Sequence, residues 1–255
     1  QPADVWRIAT ADLACLTPVL GRIDRVVSIN FDITASMRQI ALHRLDLSDP
    51  QWLRLSLSAV VDRPDSIDVM HARADIDRLY VNAAEGAGLI SLFSPEAAPY
   101  ISRTGSVTAR GSVDITLRRA LLDFGIDIGT GHIDIDGAVT TNDRYRDLAF
   151  DGNIDLTDIP AGAIAAEPRL GPISASAVGK GHLADGRAEA EGTLEIVSAE
   201  WLNHSYSDIN VTGTYTSKTT KITVNSGDPA ANFILTVDAA PAGRDKTLDM
   251  SLDVR

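Results

Sequence analysis

Apolar and polar residues alternate along most of the chain, most densely between Gly105 and Leu156. Val107, Ala109, Gly111, Val113, Ile115 and Leu117 stand at one parity, and Ser106, Thr108, Arg110, Ser112, Asp114 and Thr116 at the other. Phe124, Ile126 and Ile128 alternate with Gly125, Asp127 and Gly129. Ile133 and Ile135 alternate with His132, Asp134 and Asp136, and Leu148 and Phe150 with Asp147, Ala149 and Asp151. A strand points successive side chains to opposite faces, so this period of two gives one apolar and one polar face. Turn residues at Gly129-Thr130-Gly131, Thr141-Asn142-Asp143 and Asp151-Gly152-Asn153 separate the runs. Short turns between closely spaced strands predict an antiparallel meander.

The same pattern recurs on both sides. Val27, Ile29, Phe31 and Ile33 alternate with Ser28, Asn30, Asp32 and Thr34, and Ile40 to Leu47 and Leu53 to Val61 continue it. Two short strands follow, one with Ile67 and Val69 and one with Ile76. Later runs carry Ile173, Ala175 and Ala177, then Leu194 and Ile196, Ile209 and Val211, Ile222 and Val224, and Phe233, Leu235 and Val237. Gly179 and Gly181 inside such a run read as bends or bulges.

Three stretches read as short helices. Leu13, Leu16 and Leu20 recur at helical spacing in Trp6 to Leu20, with Thr10 as cap and Pro18 as a weakening element. A second helix is expected over Ala83 to Phe93, stopped before Pro95, and a helical turn at Pro160 to Ala166, ended by Pro168. Arg118 to Leu122 reads as a tight turn or a helical kink. Each helix precedes a set of strands, which suggests a loose repeat with a period of roughly seventy to eighty residues. The repeats run over residues 1–81, 82–159 and 160–255, as one continuous elongated domain.

The 255 residues are 44% apolar but only 5% aromatic, so any core is built of Val, Ile, Leu and Ala. A net charge of −12 repels phosphate backbones and argues against nucleic acid as a partner. Cys15 is the one cysteine, which excludes an internal disulfide and a cysteine-based metal site. No run is long and apolar enough to span a membrane as a helix, and no signal peptide is visible. The chain ends within a strand-like pattern and reads as a segment of something longer.

Chemistry-bearing constellations are scarce. The five histidines include no HExxH pair. His132, Asp134 and Asp136 come nearest to a metal site, but on one strand face they read better as solvated side chains. Asp123-Phe124-Gly125 lacks the companion motifs of a kinase, and GxSxG and GxxxxGK[ST] are missing. The acidic pairs Asp134/Asp136 and Glu189/Glu191 read as surface charge. No catalytic residue, cofactor or metal is expected, and the chain does not read as an enzyme.

The runs SVTARGSVDITL and LGPISASAVGKGHLADGRAEAEGTLEIVSAEW, the strand Ile209 to Tyr215 and the later Asp228-Pro229 resemble TamB-type translocation and assembly modules. These belong to the AsmA-like superfamily of Gram-negative bacteria. The resemblance is best from about Thr104 to Ala240. It implies a periplasmic segment of a protein anchored in the inner membrane. It also implies a mainly β fold with a few short helices: an elongated, curled antiparallel sheet forming an open trough, or β-taco. The family is implicated in moving phospholipid toward the outer membrane, and in outer-membrane protein assembly with a barrel-shaped assembly factor as partner. The expected lipid groove is lined by Val27, Ile29, Phe31, Ile33, Val113, Ile115, Phe124, Ile126, Ile128, Ile133, Ile135, Leu148, Phe150, Leu194, Ile196, Ile209, Val211, Phe233 and Leu235. Three other readings stay open. The apolar face packs on another part of the sheet in a closed sandwich or barrel. The sheet edges serve as a scaffold for unfolded barrel proteins. Or a β-solenoid adhesin presents a row of exposed aromatics, a reading ranked third because Trp6, Trp52 and Trp201 stand far apart in sequence and there are only five tyrosines.

Overall fold

A computed structural model describes residues 6–9, 26–49, 51–82, 98–103, 105–142, 147–185, 187–217, 219–242 and 245–254. It is mainly β. The strands are β1 (Trp6–Ala9), β2 (Val26–Ala35), β3 (Gln39–Asp49), β4 (Leu53–Asp62), β5 (His71–Asn82), β6 (Ser106–Thr116), β7 (Arg119–Ile128) and β8 (Gly131–Thr141). They continue as β9 (Leu148–Ile159), β10 (Leu170–Ala184), β11 (Arg187–Trp201), β12 (His204–Tyr206), β13 (Ile209–Tyr215), β14 (Thr220–Ser226), β15 (Phe233–Ala242) and β16 (Asp245–Val254). Among the described residues, helix is confined to α1 (Ala98–Ile101), α2 (Ala161–Ala165) and a 3-10 turn at Ile67–Val69. Strand order in the sheet follows chain order, with β12 as a side branch on β11, and the sheet is not closed into a barrel. The antiparallel meander predicted from the alternation is the observed fold.

Contacts divide the chain into two units. Unit 1 comprises Gln1–Leu117, Phe124–Gly129 and Ala163–Ala166; unit 2 comprises Arg118–Asp123, Thr130–Gly162 and Glu167–Arg255.

In unit 1 the register carries one apolar face across six strands, β1 to β6. Ile29 pairs with Trp6 and Leu47, and the row continues through Leu55 and Leu79 to Ala109. The next row runs Phe31, Leu45, Leu57, Ile76 and Gly111. Simple alternation fails twice, at His43-Arg44 and at Asp77-Arg78, where two polar residues adjoin. The register shifts there: Asp32 pairs with Arg44 but Ile33 with Leu42, and Ser56 pairs with Arg78 but Leu57 with Ile76. Each bulge absorbs one residue, so Leu42 and Leu45, and likewise Ile76 and Leu79, stay with the apolar rows.

In unit 2 the strands β8 to β15 repeat this arrangement. A bulge between Ser174 and Ala175 lets Ala175 pair with Ile196 and leaves Val197 exposed. Within each unit, substantial contacts between elements join strands that are neighbours in the sheet. Among the described residues, the buried apolar set is accordingly small: Val27, Ala41, Trp52 and Ala109 in unit 1, and Ile159 and Ala175 in unit 2.

Several expectations are corrected. Trp6–Ala9 is strand rather than the start of a helix, because its backbone finds a ladder partner in Val26–Ile29. The rest of that expected helix, with Thr10, Cys15 and Pro18, lies outside the described residues, as does the helix expected over Ala83 to Phe93. Ile67–Val69 is a 3-10 turn, not a strand. It follows a turn closed by Ser66 N–H donating to the Arg63 carbonyl at 3.0 Å, with Arg63 at a φ of 52°. Asp151-Gly152-Asn153 is strand interior in β9, not a turn. Gly179 and Gly181 pair in regular register, and the β10 irregularities lie instead between Leu170 and Ala175. The helical turn expected after Pro160 is α2, and Arg119 to Leu122 is strand.

Candidate functional site

The apolar residues of unit 2 form continuous rows at right angles to the strands. Ile135 pairs with Ile154, and the row continues through Ala177, Leu194, Val211 and Val224 to Leu235. A second row runs Ile133, Leu156, Ala175, Ile196, Ile209, Ser226 and Phe233. Directly paired residues in an antiparallel ladder share a face, so these rows make one surface. The residues between them belong to the other face: Asp134, Asp155, Ser176, Glu195, Asn210 and Asn225 in one row, and Thr193, Thr212, Thr223 and Thr236 in the next.

All ten groove candidates of unit 2 fall on the apolar face: Ile133, Ile135, Leu148, Phe150, Leu194, Ile196, Ile209, Val211, Phe233 and Leu235. In unit 1, Val27, Ile29, Phe31 and Ile33 share a face of β2. The pairings Ile33, Leu42, Ala59, Ala74 and Val113, and Ala35, Ile40, Val61, Ala72 and Ile115, add Val113 and Ile115 to it. Phe124, Ile126 and Ile128 share one face of β7 and are half-buried.

Five glycines, Gly137, Gly152, Gly179, Gly192 and Gly213, stand in one row of unit 2 between the Ile135 row and the row Val139, Phe150, Gly181, Ala190 and Tyr215. A Cβ at Gly152 would lie 2.7 Å from the Asp136 carbonyl oxygen, and one at Gly192 would lie 2.9 Å from that of Val178. These two positions need glycine because the backbones approach closely. At Gly213 a Cβ would meet nothing within 4 Å. Gly137, Gly152 and Gly179 of this row floor an apolar cavity of about 360 Å³, walled by Leu122, Ile135, Phe150, Ile154 and Ala177. No sequence signal within a single strand exposes this row; it appears only once register is known.

The opposite face has a cavity of about 710 Å³ near the strand ends, lined by Arg119, Lys180, His182, Glu189 and Glu191 among others. Lys180 Nζ already pairs with Glu191 at 2.7 Å. His132 Nε2 lies 3.0 Å from Asp134 Oδ1 on this polar face. Among the described residues no group of three His, Cys, Asp or Glu side chains is placed to hold a metal ion. No described helix is long and apolar enough to cross a membrane. Trp52 is buried while Trp6 and Trp201 are exposed, so the tryptophans form no common exposed row.

The far end of the unit 2 strands is tied by carboxylates. Asp228 accepts backbone N–H bonds from Ser207 at 2.8 Å and Ala230 at 2.7 Å, which hold its carboxyl below the usual range. Arg169 holds Glu167 down to about 2 through hydrogen bonds from its guanidinium and its backbone N–H. Ser226 Oγ, at this end of the apolar face, is buried with no hydrogen-bond partner among the described residues.

Compared with known proteins, the chain matches no family model, no curated protein and no solved structure.

Proposed function

We propose that the apolar sheet face shields the acyl chains of phospholipid, as part of a periplasmic bridge that carries lipid toward the outer membrane. The resemblance to TamB-type proteins gives the setting, including the inner-membrane anchor and the barrel-shaped partner that other parts of such a protein would reach. One observation carries the reading: among the described residues, the sheet within each unit is a single layer whose apolar face has no second layer of that unit packed on it. Ordinary domains cover such a face with another sheet or with helices. Here Phe31 is 51% exposed and Phe150 50%.

The chemistry of the face favours an acyl chain over a peptide. Neighbouring strands engage the backbone polar groups, and the rows from β8 to β15 described above add the hydroxyls of Thr141, Tyr215, Thr220 and Ser226 to otherwise apolar side chains. A peptide laid across it would leave its own amides unpaired, at a cost of roughly 1–3 kcal/mol each. An acyl chain has no such groups. Each methylene removed from water contributes about 0.8 kcal/mol, so a palmitoyl chain recovers on the order of 10 kcal/mol as an upper bound.

The test is lipid extraction of the purified chain, followed by native mass spectrometry with a palmitoyl lysophospholipid. The wild type should retain lipid. Leu194→Asp, in the middle of the apolar face, should lose it, while Thr193→Asp on the polar face should not. Lipid-free protein, or equal retention by both variants, contradicts the reading.

A further inference from the structure

The apolar face of unit 2 is graded along the strands. At the end where β8–β9, β10–β11 and β13–β14 turn, Val139, Leu148, Phe150, Leu183, Tyr215 and Ile222 are exposed. Further along, Ile135, Ala177, Leu194 and Val211 are half-buried, with Ile154 of the same row the exception at 42% exposed. At the opposite end Ile159 is 8% exposed and Ala175 5%. The backbone there is knit across the loop that follows β9, where Glu167 N–H donates to the Gly162 carbonyl at 2.9 Å. A bulky hydrated group fits the first end and not the second, because burying it without partners is unfavourable.

Charge runs in the same direction. The closed end carries Asp158, Glu167, Glu200, Asp208 and Asp228, faced by Arg169, whose guanidinium is already 2.7 Å from Glu167. At the hairpin tips Arg118, Arg119 and Arg187 stand with Asp147 and Asp185. An anionic group is repelled from the first set and tolerated at the second.

We infer that unit 2 takes its acyl guest along the strands, with the guest's anionic end at the hairpin tips and its methyl end against Ile159, Ala175 and Ile196. This orientation rests on the acyl-chain reading above. It assigns a polarity to the face: the polar end stays in water at one rim while the chain lies over the glycine row.

Methyl NMR on the whole chain, with labelled Ile, Leu and Val, tests the orientation without any substitution. The probe is stearic acid carrying a nitroxide either near its carboxyl end or near its methyl end. The carboxyl-end probe should broaden Val139, Leu148 and Leu183 most, and the methyl-end probe Ile159 and Ile196 most. The reversed pattern, or equal broadening at both ends by both probes, overturns the orientation and leaves the acyl-chain reading standing. No broadening by either probe overturns both.

Discussion

The ring of Phe150 lies over the α-carbon of Gly181, its direct partner across β9 and β10. A side chain at Gly181 would collide with ring atoms Cε1 and Cζ and would also come within 2.9 Å of the Glu189 carbonyl oxygen. The aromatic covers the backbone that the glycine leaves bare, a pairing that stabilises glycine within a sheet. We expect Gly181→Ala to destabilise unit 2 by about 1–3 kcal/mol through overpacking. Phe150→Ala should also destabilise, and the double variant should lose less than the sum, because the two residues share one contact. Urea unfolding of the four proteins measures the coupling; strict additivity would mean that the ring and the glycine do not interact.

A second expectation concerns the two-residue turn between β11 and β12. Trp201 pairs with His204, so Leu202 and Asn203 form the loop, with φ of 53° and 62°. Asparagine tolerates this left-handed region, whereas a branched apolar residue resists it by roughly 1–2 kcal/mol. Leu202 is exposed, so its side chain contributes little burial in return. Leu202→Asn should therefore stabilise the chain by about 1 kcal/mol, seen as a higher thermal midpoint. An unchanged or lower midpoint would show that Leu202 makes a compensating contact.

Much of the fold was legible because it rests on local alternation. The runs through Phe31, Ile115, Ile135, Leu194 and Val211 are strands, and their parity places them on the apolar rows. What was not legible depends on pairing between distant segments. Trp6–Ala9 has helical-looking neighbours, yet the ladder with β2 decides its conformation. The glycines at positions 152 and 179 look like turn and bend residues singly, and only the register shows them to stand in one row with Gly137. The bulges did leave a signal, the polar doublets His43-Arg44 and Asp77-Arg78 inside apolar runs, which alternation counted without regard to register passes over.

Acid should weaken unit 2 in a defined window. Glu167 titrates in the folded chain at about 2, and the Asp228 carboxyl also sits below its usual range. A carboxylate lowered by folding contributes fully above its unfolded value, roughly 4, and that contribution fades as pH falls through the folded value. Stability should thus decline from about pH 4 toward pH 2. Glu167→Gln and Asp228→Asn should each lower the melting temperature at neutral pH and flatten the acid limb. Melting curves across that range that stay parallel to the wild type would contradict the assignment.

The central claim, an apolar sheet face open to acyl chains, is tested most directly by calorimetric titration with lysophospholipids of increasing chain length, kept below their micelle concentrations. Burial on this face predicts that affinity rises about fourfold with each added methylene, the equivalent of about 0.8 kcal/mol. Affinity that does not change with chain length, or no binding at any length, would contradict it.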